Sequence, residues 1–365
     1  MGSSDAVKVE GLEVQAFSIP TERPESDGTA RWSRTTLVTV HLRAAAWEGF
    51  GYTYASKAAA HLVEDELADL VMGADVMQLP RCWRAMLTRA RNLGRPGIAM
   101  MAIAAIDAAL WDLKAKVLQL PLASLLGMAR SEVPIYGSGG FTSYTKEELA
   151  TQLRSWSEAG IPRVKMKVGR EPRADVDRVR AVREAIGDGT SLFVDANGAY
   201  SRKEALYLAH RFAELDVRWF EEPVSSDDLE GLRLLRDRAP SGMEIAAGEY
   251  AFDLDDFVRL LDAGAVDVLQ ADASRCGITG FLAAATLAEA RHVPLSAHCA
   301  PALHLHPACA VADLRHIEWF DDHVRIESLL FDGFRAPRDG VLLPDESRPG
   351  LGIEIKRADA RRFLV

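Results

Sequence analysis

From Val133 onward the sequence repeats one unit, in which a short apolar strand pattern is followed by a longer helical pattern. Strict alternation of this kind favours a parallel sheet, and eight units favour a closed β/α barrel. A helical pattern follows each predicted strand except the last. The chain has no Gly-x-Gly-x-x-Gly or Walker A sequence, which weakens the alternative of a doubly wound nucleotide-binding fold. The predicted strands are Val133–Tyr136, Arg163–Val168, Ser191–Val194, Arg218–Phe220, Glu244–Ala246, Val266–Leu269, Val293–Leu295 and His316–Trp319.

The first third of the chain has mixed patterns instead. Residues 7–20 and 36–43 alternate as strands do, and the polar segment 21–34 between them predicts a hairpin with a long mobile loop. Residues 47–54 are rich in glycine and aromatic side chains and predict a second loop. This third is therefore α+β, and the short strands and loops beyond about residue 325 are expected to pack back on it. Helical periodicity is found in 57–72, 80–92 and 98–116.

The composition limits the class of protein. A chain of 365 residues forms one large or two ordinary domains, and 48% apolar with 26% charged residues is typical of a soluble globular protein. No run of about 18 apolar residues occurs, and the polar start lacks a signal-peptide pattern, so we expect no membrane segment. The cysteines are scattered without a Cys-x-x-Cys pair, which predicts free thiols in a reducing cytoplasm. They are Cys82, Cys276, Cys299 and Cys309.

The net charge of −10 argues against a nucleic-acid partner and means that an anionic substrate needs cations supplied locally. Lys165 and Lys167 are candidates, because a strand places residues two apart on the same face. Two buried cations side by side are costly unless an anion lies near them. The alternative is an edge strand with ordinary surface lysines.

Charged residues recur at the ends of the successive predicted strands, where barrels of this kind build their active sites. Lys165 and Lys167 end the second strand, and the residues that follow are spaced 20 to 28 positions apart, about one β/α unit each. Scattered surface acids would not recur once per unit at the same edge. In chain order these residues are Asp195, Glu221, Glu249, Asp272, His298 and Glu318.

Three carboxylates from adjacent strands, Asp195, Glu221 and Glu249, would repel one another unless they were protonated or bound to a cation. Oxygen ligands favour a hard divalent ion, and Mg²⁺ fits best. Each residue also has a structural alternative. Asp195 could cap the next helix, although Ser201 suits that position better, and the two glutamates could be loop acids.

Asp272 and His298 are predicted to come from neighbouring strands. A carboxylate bonded to one ring nitrogen fixes the tautomer and raises the basicity of histidine, which makes His298 a candidate general acid or base. A lone histidine is more often structural. His304 and His306 lie in a less regular stretch beyond the strand end, and we interpret them as structural.

Six separated motifs, in the same order and spacing, resemble those of the enolase superfamily, and in particular of its mandelate racemase-like subgroup. The resemblance covers essentially the whole chain. It implies an α/β fold, a modified (β/α)7β TIM-type barrel with an α+β capping domain built from the N-terminal third and the C-terminal tail. The implied limits are 1–130 for the capping domain, 131–322 for the barrel and 323–365 for the tail. The motifs are Val164-Lys-Met-Lys-Val-Gly, Val194-Asp-Ala-Asn-Gly, Phe220-Glu-Glu-Pro, Ala247-Gly-Glu, Gln270-Ala-Asp and Ser296-Ala-His.

The resemblance also implies a role for each site residue. One Mg²⁺ per active site is held by Asp195, Glu221 and Glu249. Lys167 is the base on one substrate face, with Lys165 as a neighbouring cation near the substrate carboxylate. The remaining implied roles are the Asp272–His298 dyad on the opposite face, Glu318 as a hydrogen-bond partner of the substrate carboxylate, and Asn197 as a substrate contact.

Two details qualify the resemblance. The muconate-lactonising and dipeptide-epimerase subgroup has a lysine where this chain has Asp272, so that branch is disfavoured. The paired glycines usual after the sixth strand appear as Cys276-Gly277, one glycine short, which could shift Arg275 and the substrate pocket.

The expected reaction is removal of the α-proton of a carboxylate substrate through a metal-stabilised enediolate, followed by dehydration of a sugar acid to a 2-keto-3-deoxy acid. Racemisation or epimerisation of a 2-hydroxy acid is the close alternative. Specificity is expected in segments 21–34 and 47–54, with Arg23, Arg31 and Tyr54 as candidate substrate contacts.

The expected partner is a small-molecule carboxylate, with no nucleic acid or membrane, and the chain is expected to form a homo-oligomer in the cytoplasm. Two rival functions stay open at this point. One is a barrel that binds metal and ligand without turnover, and the other is a Schiff-base aldolase that uses Lys165 or Lys167.

Overall fold

The structure is a computed structural model that describes residues 6–365. Its first three strands, β1 Gly11–Ser26, β2 Arg31–Ala44 and β3 Trp47–Tyr54, form an antiparallel sheet in the order β1-β2-β3. The sheet packs on the long helix Ile98–Val117, which is rich in alanine and largely buried. Within the described part of the chain, no helix has the length and apolar character needed to cross a membrane.

The predicted long loop at 21–34 is wrong, because β1 and β2 continue to a tight turn at its centre. Asp27 closes the turn by accepting hydrogen bonds from two backbone N–H groups, each 2.6 Å long. The Trp32 indole N–H donates to the Glu25 carboxylate across the hairpin at 2.9 Å. The polar composition was misleading because the tip docks on the barrel, where a Cβ on Gly28 would collide with barrel carbonyl oxygens.

The second predicted loop, at 47–54, is also wrong, since these residues form β3. Gly49 and Gly51 lie against the helix Ile98–Val117, and a Cβ on either would collide with the carbonyl oxygen of Ala109 or Ala105. Glycine therefore permits close packing of a strand on a helix here, which its usual association with loops conceals.

The barrel is confirmed: eight parallel strands follow one another around a closed sheet, and the last strand pairs with the first to complete it. Each observed strand overlaps its predicted segment, with ends that differ by up to three residues. The strands are β4 Val133–Gly139, β5 Arg163–Lys167, β6 Ser191–Asp195, β7 Val217–Glu221, β8 Glu244–Ala247, β9 Val268–Ala271, β10 Leu295–Ala297 and β11 Leu314–Phe320.

Aromatic side chains fill the interior of the barrel below the strand ends. Phe193 and Trp219 stack with ring centroids 5.2 Å apart, and Tyr136 packs beside them. Phe193 and Trp219 precede Asp195 and Glu221 by two residues, so period-two alternation points all four side chains inward, in two layers. The apolar layer forms a floor, and the charged layer lies above it.

Two corrections concern the helices. The stretch that holds His304 and His306 is a buried helix, Pro301–Cys309, begun by Pro301 at its first position. The last barrel strand is followed by the helix Asp321–Leu330, where loops were predicted. The helices are α1 Ala58–Leu62, α2 Ala68–Val71, α3 Leu79–Arg89, α4 Ile98–Val117, α5 Leu122–Leu126, α6 Lys146–Glu158, α7 Pro172–Ile186, α8 Arg202–Ala213, α9 Leu229–Arg238, α10 Leu254–Asp262, α11 Ala273–Glu289, α12 Pro301–Cys309, α13 Asp321–Leu330 and α14 Arg357–Ala360.

The C-terminal tail contacts both parts of the molecule. It contains the short strands β12 Phe331–Asp332, β13 Val341–Leu342 and β14 Glu354–Ile355, of which β13 pairs with β4 and β12 with β14. The buried Asp112 of α4 accepts hydrogen bonds from the backbone N–H groups of Phe50 in β3 and Leu351 in the tail. The domain limits at 130 and 322 remain a prediction.

Candidate active site

A cavity of about 540 Å³ lies over the C-terminal ends of the barrel strands and is covered by the N-terminal sheet. Barrel and covering residues both line it. From the barrel come Lys167, Asn197, Glu249, Asp272, Arg275, His298 and Cys299, and from the cover come Asp27, Trp32, Arg34, Thr35, Tyr54, Ile98 and Met101.

The two lysines of β5 lie at different depths. Lys165 is completely buried, and its Nζ lies 2.6 Å from Glu221 Oε1, 2.8 Å from Glu318 Oε1 and 3.1 Å from Asp195 Oδ2. Lys167, two residues further along β5, lies at the edge of the cavity, and its Nζ is 2.5 Å from Asp195 Oδ2. The sheet register brings these groups together, because Lys167, Asp195 and Glu221 are direct neighbours on β5, β6 and β7.

The lysines and carboxylates shift each other's pKa values. Burial lowers the pKa of Lys167, but the Asp195 carboxylate outweighs it and the net pKa is raised. Burial raises the pKa of Asp195, but both ammonium groups outweigh it and the net pKa is lowered. Glu221 also lies beside Lys165, but burial and then the Asp195 carboxylate outweigh the ammonium groups and raise its pKa to about 8. The cluster therefore carries more carboxylate than its lysines can neutralise.

Asp195, Glu221 and Glu249 each offer a carboxylate oxygen within 4.8 Å of the others, and all three residues are buried. Glu249 Oε2 has no hydrogen-bond partner among residues 6–365, although a buried polar atom normally has one. The Trp219 indole N–H donates a hydrogen bond of 2.9 Å to Glu221 and fixes its rotamer. The Asn197 backbone N–H does the same for Asp195, also at 2.9 Å. Three oriented oxygens with an unsatisfied ligand atom fit a hard divalent cation.

On another side of the cavity, Asp272 and His298 form a hydrogen-bonded pair. His298 Nδ1 lies 2.9 Å from Asp272 Oδ2, while Asp272 Oδ1 accepts from the Ser274 N–H at 2.7 Å, as the N-cap of α11. Burial lowers the pKa of His298, but Glu249 and Asp272 outweigh it and the net pKa is raised. The pair keeps Nε2 available on the cavity side.

Glu318 completes the charged layer. Its Oε1 accepts a hydrogen bond from Ser138 Oγ at 2.6 Å and pairs with Lys165, and its Oε2 accepts from the Cys299 N–H at 3.0 Å. Burial raises the pKa of Glu318, but Lys165 outweighs it and the net pKa is lowered. Glu318 is therefore held as a carboxylate beside Lys165.

The predicted substrate contacts divide into two groups. Asn197 and Tyr54 line the cavity, and Tyr54 stacks on His323 with ring centroids 3.5 Å apart. Arg23 points away from it, paired with Glu148 of α6 at 2.5 Å, because the extended β1 carries it past the barrel rim. Arg31 is exposed at the start of β2.

Sequence reasoning gave Arg275 no role, yet it links two parts of the site. Its Nη1 donates to the Glu249 carbonyl at 2.5 Å, and its Nε lies 3.5 Å from Asp272 Oδ2. The single glycine that follows, Gly277, has φ 76° and makes a kink inside α11, where a Cβ would press on Asp107 and Trp83. The sequence could have indicated this role, because Arg275 is three residues after Asp272 and therefore lies in the same first turn of the helix.

Two family models match most of the chain. Residues 12–127 match the model of the mandelate racemase/muconate lactonizing enzyme N-terminal domain, and residues 148–360 match the enolase C-terminal domain-like model. A 3,6-anhydro-alpha-L-galactonate cycloisomerase from Streptomyces coelicolor is 34% identical, over 98% of this chain and 99% of its own length. An L-talarate/galactarate dehydratase from Salmonella typhimurium is 32% identical, over 98% and 91%.

Two solved structures are also similar to this chain over nearly its whole length. A mandelate racemase/muconate lactonizing enzyme-like protein from Rubrobacter xylanophilus is 53% identical with a TM-score of 0.96, covering 98% of this chain and all of its own. A racemase from Streptomyces coelicolor solved with bound magnesium is 33% identical with a TM-score of 0.92, again covering 98% of this chain and 100% of its own. This chain is thus an enzyme of the mandelate racemase-like subgroup of the enolase superfamily.

Proposed function

We propose that the protein removes the α-proton of a sugar acid with the help of Mg²⁺ and then eliminates the β-hydroxyl, giving a 2-keto-3-deoxy acid. The observation that carries this proposal is the meeting of three groups around one cavity: Lys167, the carboxylates of Asp195, Glu221 and Glu249, and the Asp272–His298 pair. Relatives named as dehydratases of L-talarate/galactarate, arabinonate and L-rhamnonate support the reaction class.

The cofactor is Mg²⁺, held by Asp195, Glu221 and Glu249. Relatives have been solved with magnesium, including an L-talarate dehydratase from Polaromonas with L-glucarate. When bound, the ion supplies positive charge next to the substrate carboxylate, which makes the α-proton more acidic. Lys165, buried beneath the same layer, adds a second positive charge there.

Lys167 is the proposed base because it borders the cavity, whereas Lys165 is enclosed by carboxylates. A neutral Nζ can accept the α-proton, leaving the pair of electrons on the enediolate of the substrate. Burial and the nearby Lys165 ammonium both favour the neutral form of Lys167, and Asp195 opposes it. Neutralising the charge of Asp195 therefore helps Lys167 to act as a base.

His298 is the proposed acid. In its imidazolium form, Nε2–H faces the cavity while Nδ1–H is held by Asp272. As the enediolate collapses, its electrons break the bond between the β-carbon and its hydroxyl, and the Nε2 proton leaves with that hydroxyl as water. The enol that remains tautomerises to the 2-keto-3-deoxy acid.

Polar covering residues favour a polyhydroxylated substrate. Asp27, Arg34, Thr35 and Asp322 line the same cavity and offer polar partners for the hydroxyl groups of a sugar acid. Trp32, Met101 and Ile98 line it as well and can supply apolar contacts.

Racemisation or epimerisation of a 2-hydroxy acid is the second candidate. Lys167 and His298 come from strands that are not neighbours, so each can reach a different face of one bound substrate. Without a β-hydroxyl, His298 would return a proton to the α-carbon instead of expelling water. A racemase among the solved relatives supports this candidate.

The test is a panel of sugar acids incubated with the enzyme and Mg²⁺, with 2-keto acid as the product measured. We expect one or more acids to yield keto acid, and chelation to abolish the yield. A panel without keto acid, but with inverted 2-hydroxy acids, would favour the racemase. Activity that survives chelation and is trapped on a lysine by borohydride would identify a Schiff-base aldolase and contradict both candidates.

A further inference from the structure

The wall of the cavity holds a second group of metal-ligand atoms, apart from the three carboxylates of the Mg²⁺ site. His298 Nε2 and Cys299 Sγ lie 3.2 Å apart, and Cys299 Sγ lies 3.3 Å from Glu318 Oε2. The third distance, from Nε2 to Oε2, is 3.7 Å. These residues are all buried, and they offer one nitrogen, one sulfur and one oxygen.

The three distances match the edges of a tetrahedral zinc site. Zinc–ligand bonds of about 2.3 Å to sulfur and about 2.0 to 2.2 Å to nitrogen and oxygen place ligand atoms roughly 3.3 to 3.6 Å from one another. The observed separations of 3.2, 3.3 and 3.7 Å need side-chain movements of only a few tenths of an ångström.

Each ligand atom is already oriented. In the neutral form of His298, Asp272 accepts from Nδ1–H and the Nε2 lone pair is free for a metal, and zinc-bound histidines usually have such a carboxylate partner. Ser138 and Lys165 occupy Oε1 of Glu318, so that Oε2 faces the sulfur. The neighbouring contacts therefore hold the two flanking ligands in place.

The backbone around Cys299 is unusual and well anchored. Cys299 and Ala300 have φ of 51° and 39°, two consecutive left-handed residues that are not glycine. The Cys299 N–H donates to Glu318, and the Cys299 carbonyl lies 2.9 Å from His304 Nδ1. Such strain persists only where the surroundings enforce it, and here it aims the thiol between His298 and Glu318.

We propose that His298, Cys299 and Glu318 form a second cation site, selective for a thiophilic divalent ion such as Zn²⁺, and that its occupation switches the enzyme off. The soft sulfur and the imidazole favour Zn²⁺, whereas the all-oxygen site favours Mg²⁺. His298 and Cys299 line the cavity, and a further oxygen, Glu249 Oε2, lies 3.3 Å from Nε2. Binding itself is independent of the proposed function, while inhibition rests on it, because Zn²⁺ would occupy the Nε2 that donates the proton.

The first test uses Co²⁺ as a spectroscopic probe, with Mg²⁺ saturating the carboxylate site. A cobalt ion bound to Cys299 gives a thiolate-to-metal charge-transfer band, which a cobalt ion among oxygens lacks. We expect the band in the wild type and in the control Cys82→Ser, whose thiol lies in α3 of the covering domain, and its loss in Cys299→Ser. A wild type without the band, or an unchanged band in Cys299→Ser, would overturn the proposal.

The second test measures inhibition by Zn²⁺ on an active sugar acid at saturating Mg²⁺. Wild type and Cys82→Ser should be inhibited alike, and Cys299→Ser should need at least about tenfold more Zn²⁺, since even loss of an outer partner of a metal ligand costs about 10–100-fold in affinity. Inhibition that excess Mg²⁺ fully reverses would place the ion among the carboxylates and contradict the proposal. A cobalt band without inhibition would uphold the site and contradict the role of His298 in the reaction.

Discussion

Lys165 and Lys167 share one face of β5, but their surroundings give them different roles. Lys165 lies among Glu221, Glu318 and Asp195 with no exposed surface, whereas Lys167 pairs with Asp195 and borders the cavity. The depth of each ammonium group, which the spacing of the two residues does not reveal, separates a charge-balancing lysine from a proposed base.

Replacing Lys165 by Met should therefore destabilise the fold. Breaking a buried ion pair and leaving its carboxylates uncompensated costs about 3–5 kcal/mol. Thermal denaturation should show a large fall in Tm that Mg²⁺ partly restores, because the ion neutralises Asp195 and Glu221 but not Glu318. Lys167→Met is the matched control, with a smaller expected loss. Equal losses in the two variants would show that Lys165 does not have this role.

Asp272→Asn should separate the two halves of the reaction. The amide no longer holds Nδ1–H of His298 as a carboxylate does, so loss of water should slow by about 10²–10⁴-fold, the usual contribution of an acid catalyst. Exchange of the α-proton at Lys167 should persist. Proton NMR in heavy water measures the exchange of the α-proton, and a keto-acid assay measures the elimination of water. If both steps fell by the same factor, the dyad would not be the separate acid.

At the scale of elements, local patterns predicted the barrel well and the covering sheet poorly. Each barrel strand is marked by its own apolar run, and the charged residues recur once per unit. The hairpin tip and β3 owe their structure to docking instead: Gly28 lies against the barrel, and Gly49 and Gly51 lie against α4. Polar and glycine-rich segments are predicted as loops from a single sequence, because the sequence does not show the surface on which these segments pack.

Gly28→Val should push the hairpin tip away from the barrel, because its side chain would collide with the carbonyl oxygens of Val168 and Ala196. The tip carries Asp27 and Trp32 over the cavity, so we expect KM to rise more than kcat falls. Ser33→Val, on an exposed position of β2, is the control and should behave as wild type. A Gly28→Val enzyme with an unchanged KM would exclude the hairpin from substrate binding.

At the scale of the molecule, Glu327 joins the covering sheet to the barrel. This α13 carboxylate accepts hydrogen bonds from the Tyr52 hydroxyl of β3 at 2.7 Å and from the Ala302 N–H of α12 at 2.9 Å. Burial raises its pKa from the ordinary value of 4.5 to about 8, despite these hydrogen bonds. The folded protein therefore prefers Glu327 protonated.

The raised pKa of Glu327 determines how the stability of the fold depends on pH. A raised pKa contributes stability that is complete below 4.5 and is lost as the pH rises through about 8. The Tm of the wild type should fall across this window, and Glu327→Gln, which keeps an acceptor for Tyr52 without the charge, should show a shallower fall. Calorimetry over this pH range measures both. Identical slopes would mean that Glu327 is not the group responsible.

The site as a whole was only partly predictable. The residues at the strand ends were found because the barrel topology places them on one rim. Arg275, Arg34 and Asp322 were not, because they reach the cavity through a kinked helix, an extended hairpin and a helix after the last strand. Arg23, predicted as a substrate contact, points away from the cavity and pairs with Glu148, because its direction depends on where β1 ends.

The central claim is that Lys167 takes the α-proton with the help of Mg²⁺. Its most direct measurement is α-deuterium incorporation from heavy water into a sugar acid that the enzyme accepts, followed by NMR. We predict incorporation by wild type with Mg²⁺ and by Asp272→Asn, and none by Lys167→Ala or after chelation. Incorporation by Lys167→Ala at the wild-type rate, or without Mg²⁺, would contradict the account.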